Sequence, residues 1–237
     1  MQIEGTSALV TGGGRGIGRA VALGLARAGA TVTLVSRTKA ELDAVARGIQ
    51  AAGGQALAFP GDLRLPALAK DAVAAAVAAH GGLQVLVNNA GIGGFANLAD
   101  TTDEAWDDIL ATNLSSVFRL TRAALPSLTK AGGHVFMISS LAGSNPIAGM
   151  AAYCASKAAL DQLAACLMLE VRHQGVKVTT IAPGSVDTSF GGATRADASW
   201  MLQPDDVAAA VLDLLRTRDG AHLSRVEMRP ARPQKRV

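Results

Sequence analysis

Short apolar runs alternate along this chain with longer stretches rich in Ala, Leu and Val. Residues 7–10, 31–35, 56–59, 83–87, 134–138 and 177–181 are runs of the first kind, each the length of a strand. Residues 20–26, 39–52, 65–80, 102–129, 152–171 and 204–218 are of the second kind and are predicted as helices. Residues 224–228 read as a closing edge strand. Strands that alternate with helices imply a parallel sheet covered on both faces. The expected fold class is therefore α/β: one doubly wound domain over residues 1–237, with a seven-stranded, mostly parallel sheet and helices on both sides. Ligands of such sheets bind beyond the C-terminal ends of the strands, near the point where strand order reverses. Residues 190–203, with Gly191-Gly192 and Trp200, read as a mobile substrate loop, and residues 229–237 as a basic tail.

A length of 237 residues suits one such domain, and 49% hydrophobic residues supply its core. Aromatic residues make up only 3%, too few for a platform that stacks nucleobases. The net charge of +3 comes partly from Arg229, Arg232, Lys235 and Arg236, without a basic stripe along a face, so nucleic acid is not an expected partner. Cys154 and Cys166 lie twelve residues apart on one predicted helix. That separation is roughly 18 Å, beyond the reach of a disulfide. Free cysteines suit a reducing cytoplasm. The N-terminus shows no signal-peptide pattern, and no apolar run is long enough to span a membrane. A cytoplasmic protein with no membrane partner and no metal is expected.

The first strand runs through Thr11 into Gly12-Gly13-Gly14-Arg15-Gly16-Ile17-Gly18-Arg19, with a helix behind it. This is the setting of a phosphate-binding turn. Glycines let backbone N–H groups approach a pyrophosphate, and the helix N-terminus adds its positive end. The loop that binds nucleoside triphosphates is excluded, because Arg19-Ala20 stand where Lys and Ser/Thr must follow. The second strand ends at Ser36-Arg37. An Asp or Glu there would hold a ribose 2′-hydroxyl. Arg37 instead joins Arg15 in offering two cations to a 2′-phosphate. Two surface arginines are the alternative; the placement favours a Rossmann-type site for NADP(H) over one for NAD.

Tyr153 is the only tyrosine, and Lys157 follows it by one helical turn. A nearby cation lowers a phenol's pKa from its solution value near ~10, which makes a candidate proton donor or acceptor. Alone, the pair has another reading, an interfacial tyrosine beside a solvated lysine. Asn113 falls in mid-helix, where exposure is the usual explanation for an asparagine and a polar role the other. The predicted helix 152–171 is apolar on most sides, which implies burial all round, one face on the sheet and another on a partner subunit.

The signatures Thr11-Gly12-x-x-x-Gly16-Ile17-Gly18, Asn88-Asn89-Ala90-Gly91, Asn113, Ser140, Tyr153-x-x-x-Lys157 and Pro183-Gly184 with Thr188 occur in this order. Together they resemble the short-chain dehydrogenases/reductases over nearly the whole chain. Thr112-Asn113-Leu114-Ser115-Ser116-Val117-Phe118 looks especially like 3-oxoacyl-[acyl-carrier-protein] reductases. The resemblance implies an NADP(H)-dependent oxidoreductase that moves a hydride between nicotinamide and a carbonyl or secondary alcohol. It implies Tyr153 as general acid or base, and Lys157 as the cation that lowers its pKa and binds the nicotinamide ribose. Ser140 would donate to the substrate oxygen, and Asn113 would hold a relay water. Gly12, Arg15, Gly16, Ile17, Gly18, Ser36 and Arg37 would surround the phosphates. Asp62 and Leu63 would face the adenine, Asn89 and Gly91 the ribose, and Val186 and Thr188 the nicotinamide. A homotetramer or homodimer built on long helices is implied as well.

The tail Arg229-Pro230-Ala231-Arg232-Pro233 departs from the glycine-rich ending of the carrier-protein reductases. It is more similar to reductases of assorted carbonyls or small hydroxy acids. A 3-oxoacyl thioester, a small ketone and a 3-hydroxy acid all stand as substrates. Ile92, Phe95, Leu141, Ile147, Met150, Val186 and Phe190 form the expected lining, with Asp187 the one charge nearby, so an uncharged or acyl-type substrate is expected. A binding protein that senses NADP without turnover is disfavoured by the complete Ser140, Tyr153 and Lys157 set. A methyltransferase is disfavoured because no acid ends the second strand.

Overall fold

The computed structural model describes residues 1–192 and 197–232. The strands are β1 (Ser7–Thr11), β2 (Thr31–Ser36), β3 (Ala56–Pro60), β4 (Val85–Asn88), β5 (His134–Ile138), β6 (Lys177–Pro183) and β7 (Arg225–Met228). They form one sheet in the order β3-β2-β1-β4-β5-β6-β7. Every neighbouring pair is parallel, so the sheet is wholly rather than mostly parallel. Val10 pairs with Leu34 on one side and Val87 on the other. The chain leaves β1 toward one edge and returns through β4 toward the other. The switch point lies between those two strands.

Apolar runs become central strands because both their faces are covered. The helices α1 (Gly16–Arg27), α2 (Lys39–Ala51) and α7 (Pro204–Arg216) pack on Val10, Leu34, Val87 and Phe136 through Leu25, Leu42 and Val211. The helices α3 (Pro66–His80), α5 (Ser116–Ala131) and α6 (Ala151–Val171) pack on Leu9, Leu86, Val135 and Met137 through Val73, Leu120 and Leu160. Alternate residues of each strand thus feed two separate cores, as the period of two requires. Among the described residues no helix is long and apolar enough to cross a membrane.

Two expectations change. The first helix begins at Gly16, four residues before the apolar pattern starts. Its first turn needs no upstream hydrogen-bond partner, so glycines are tolerated there. The helix expected over 102–129 is interrupted. A helix α4 (Asp103–Leu110) leads into one π-helical turn, Ala111–Ser115, before α5. Asn113 sits in that turn and is fully buried, against the exposure that its mid-helix position suggests. Within one chain α6 has one buried and one open face, and the expected partner subunit would cover the open one. Tyr153, Lys157, Leu160, Ala164 and Leu167 face inward, while Leu169 is 59% exposed and Ala158, Ala165 and Cys166 lie open on the other side. Of the expected mobile loop, residues 193–196 lie outside the described residues, as do 233–237 of the tail.

Candidate active site

The loops that follow β1 to β6 open on one cavity of about 930 Å³ at the C-terminal ends of the strands. Its floor is the glycine turn. Gly12 has φ +65°, and a β-carbon on it would stand 2.7 Å from Asn89 Nδ2. Asn89 Nδ2 donates to Thr11 O at 2.8 Å. Thr11 Oγ1 in turn accepts from Asn89 N at 2.9 Å and Ala90 N at 3.0 Å. One threonine therefore ties the loop after β4 to the end of β1. The cap residue of α1, Arg15, is extended and places no side chain on the helix end. The N–H groups of that first turn are left for an anion, with Gly16 and Ile17 on the cavity wall.

Of the sequence-predicted site residues, Gly12, Arg15, Gly16, Ile17, Ser36, Arg37, Asp62, Leu63, Asn89, Gly91, Ser140, Tyr153, Lys157, Val186 and Thr188 all line the cavity. Gly18 and Asn113 do not; they build it from behind. A β-carbon on Gly18 would lie 2.3 Å from Gly12 O, so the glycine lets α1 close against its own turn. Asn113 Nδ2 donates to Ile92 O at 2.9 Å and to Ser156 Oγ at 3.0 Å, and its Oδ1 accepts from Ile92 N at 2.8 Å. Both of its N–H donors are spent on protein, while Oδ1 keeps a second lone pair.

Ser36 and Arg37 stand at the end of β2. Among the described residues Ser36 Oγ is buried without a hydrogen-bond partner, an orphan in the cavity wall. Arg37 makes no ion pair within 4.0 Å among the described residues. Asp62 is engaged by Arg64 at 2.7 Å, and that hydrogen bond holds its carboxyl below the usual range. A glycine-walled cradle, an orphan hydroxyl and an unengaged guanidinium fit the phosphates of a dinucleotide.

The reacting end is built by β5 and α6. Ser140 follows β5, and its Oγ accepts from Ala142 N at 3.1 Å. Tyr153 is only 9% exposed, and its ring lies 5.5 Å from that of Phe190. Lys157 is buried and donates from Nζ to Ile138 O at 2.9 Å. Burial lowers the lysine to about 8, with Asp161 one turn on opposing that shift. The lowering of the phenol expected from Lys157 is opposed by burial. Burial pushes Tyr153 above its ordinary value, while a hydrogen bond with Ser140 pulls the other way. Lys157 turns toward the Ile138 carbonyl, with Nζ 5.8 Å from the Tyr153 ring centroid. Tyr153 is consequently a protonated phenol at neutral pH, able to give a proton.

All seven apolar lining candidates, Ile92, Phe95, Leu141, Ile147, Met150, Val186 and Phe190, are on the wall. Asp187 is exposed and is not; the charge from the C-terminal segment that reaches the cavity is Arg229. Motif spacing could not find Arg229, because β7 brings it in from the far end of the chain. Trp200 and Glu41 also line the wall, and Ser156 holds Asn113 from behind it; none of the three stood among the predicted site residues.

The family model described as short chain dehydrogenase matches residues 6–199. The 2,5-dichloro-2,5-cyclohexadiene-1,4-diol dehydrogenase LinX of Sphingobium indicum is 41% identical over 191 residues, 79% of this chain and 75% of that protein. A metagenomic short-chain oxidoreductase solved in complex with NADP superposes with a TM-score of 0.87 at 38% identity, covering 98% of this chain and 100% of the other. An alcohol dehydrogenase from the archaeon Thermococcus sibiricus, complexed with 5-hydroxy-NADP, gives 0.91 at 28% identity, covering 97% and 99%. These relatives act on varied substrates by name, and the particular closeness to carrier-protein reductases is not shown by them. With a family model spanning 6–199 and the Ser140, Tyr153 and Lys157 set gathered at one cavity, this chain belongs to the short-chain dehydrogenases/reductases.

Proposed function

We propose that this protein is an NADP(H)-dependent oxidoreductase acting on a carbonyl or the corresponding secondary alcohol. One observation carries the cofactor reading. Arg15, Arg37 and the orphan hydroxyl of Ser36 share a wall of the cavity that also holds Ser140, Tyr153 and Lys157. No carboxylate ends β2 to accept from a ribose 2′-hydroxyl, whereas a 2′-phosphate has two cations. Relatives solved with NADP support the same choice.

Nicotinamide would supply the hydride. The chain supplies position and protons. As hydride reaches the carbonyl carbon, negative charge grows on oxygen. Ser140 Oγ–H donates to that oxygen, and the Tyr153 phenol transfers its proton to it. Both interactions strengthen toward the transition state. The product is the alcohol; in the reverse direction the phenolate accepts the proton. Lys157 Nζ, already spent on Ile138 O, has further N–H groups for the ribose and for returning a proton to Tyr153.

The apolar wall supports an acyl-type substrate such as a 3-oxoacyl thioester. Arg229 on the same wall, paired with Glu227 at 3.0 Å, favours a second reading, a small 3-oxo or 3-hydroxy acid whose carboxylate would meet its remaining N–H groups. The open stripe of Ala158, Ala165, Cys166 and Leu169 on α6 supports a homodimer or homotetramer. The free thiols Cys154 and Cys166 support a cytoplasmic setting. NADPH oxidation measured against acyl thioesters, ketones, diketones and 3-oxo acids tests the activity. Turnover of at least one class is expected; tight NADPH binding with no turnover across the panel would instead favour a sensor.

A further inference from the structure

Glu41 lies in the first turn of α2, outside every motif. An acid there is ordinarily explained by the helix dipole. Its side chain does more than sit at a helix end. It forms part of the cavity wall together with Arg15, Ser36 and Arg37. A β-carbon built on Gly14 would stand 2.9 Å from Glu41 Cβ, 3.0 Å from its Oε2 and 3.4 Å from Ser36 Oγ. Oε1 is 3.9 Å from Arg15 Nη1. The carboxylate therefore lies over the glycine turn, beside the orphan hydroxyl and within reach of one of the two phosphate-binding arginines. The other acid of that end, Asp62, is already engaged by Arg64.

We propose that Glu41 is a specificity-determining residue of the cofactor site. Its carboxylate holds Arg15 in the absence of a 2′-phosphate and competes with that phosphate when one arrives. The inference rests on the NADP(H) reading above. Two guanidinium groups alone would favour a phosphorylated ribose strongly; one carboxylate in the same corner offsets part of that charge. A cofactor without the phosphate meets no such opposition. The site should consequently accept NADH better than its arginines imply. The pair is partly exposed, at 68% for Arg15 and 37% for Glu41, so the effect is moderate and sensitive to salt.

The test is fluorescence titration of NADPH and NADH on the full chain, native and Glu41→Gln, at low and high ionic strength. Glu41→Gln should lower the Kd of NADPH roughly threefold to tenfold and leave that of NADH within about twofold. The gain should shrink at high salt, and Glu41→Asp, which keeps the charge, should gain less than Glu41→Gln. Glu41→Ala replaces the Gln variant if that fails to fold. An unchanged NADPH Kd, or equal shifts for the two cofactors, overturns the proposal and returns Glu41 to a structural role. A native chain that binds NADH more tightly than NADPH defeats the NADP(H) reading separately. Selective tightening of NADPH in the variant would still uphold the role of Glu41.

Discussion

Asn113 clasps both backbone groups of Ile92, accepting from its N–H at 2.8 Å and donating to its C=O at 2.9 Å. The clasp ties the π turn before α5 to the loop after β4 and so fixes one wall of the cavity. Widened turns of this kind recur at functional sites. Its third hydrogen bond, to Ser156 Oγ, reaches α6 one residue before Lys157. Asn113→Ala should leave several buried groups unpaired and cost about 2–5 kcal/mol of stability by urea unfolding. Activity should fall even at temperatures where the variant remains folded.

Tyr153→Phe keeps the ring against Phe190 and removes the proton that the mechanism needs. Turnover should fall by roughly a hundredfold or more, with NADPH affinity within a few-fold of native. Unchanged turnover would sink the role assigned to the phenol.

Arg37→Asp restores the acid that sites for a ribose 2′-hydroxyl carry at the end of the second strand. The ratio of NADPH to NADH affinity should shift toward NADH by about tenfold or more. A ratio that does not move would show that Arg37 never meets the phosphate.

Arg229 is the side chain in which the acid-substrate reading can be tested. Arg229→Gln should raise KM for a 3-oxo acid by about fivefold or more, with little change for a neutral ketone of similar size. Equal effects on both would point to packing of the tail rather than to charge recognition.

His134 gives the chain an acid-sensitive point far from the cofactor. It is buried, stacked on Phe136 with ring centroids 4.1 Å apart, and its Nε2 lies 2.8 Å from Thr179 Oγ1. The Thr179 hydroxyl donates to Leu223 O at 2.7 Å, so Oγ1 must accept from His134 Nε2–H. Burial, then the nearby His222 and Lys177, lowers His134 to about 3 from an ordinary 6.5. The unfolded chain binds this proton more readily, so stability from His134 is full above 6.5 and is lost as pH falls toward 3. The loss amounts to roughly 5 kcal/mol across that window. His134→Gln should flatten the dependence of Tm on pH there; an unchanged slope would assign acid sensitivity to other groups.

The alternation of short apolar runs with Ala-rich stretches was enough to give every strand and the parallel, doubly covered sheet. A central parallel strand must be apolar on both faces, and that demand is written locally in the residues. The cofactor turn was legible because Gly12 needs a positive φ and Gly18 must clear Gly12 O within one turn, although the approach of Asn89 to both glycines comes from the loop after β4. Local pattern could not show that Asn113 is buried, because its partners Ile92 and Ser156 come from two other elements. It could not place Arg229 or Glu41 on the cavity wall, since a charged side chain carries the same signal on a solvated face as in a site. Nor could it decide the state of Tyr153. The spacing to Lys157 puts a cation one turn away, but burial pushes the phenol up, a hydrogen bond with Ser140 pulls it down, and Lys157 Nζ is drawn to the Ile138 carbonyl. Those are properties of surroundings that exist only once distant segments have packed together.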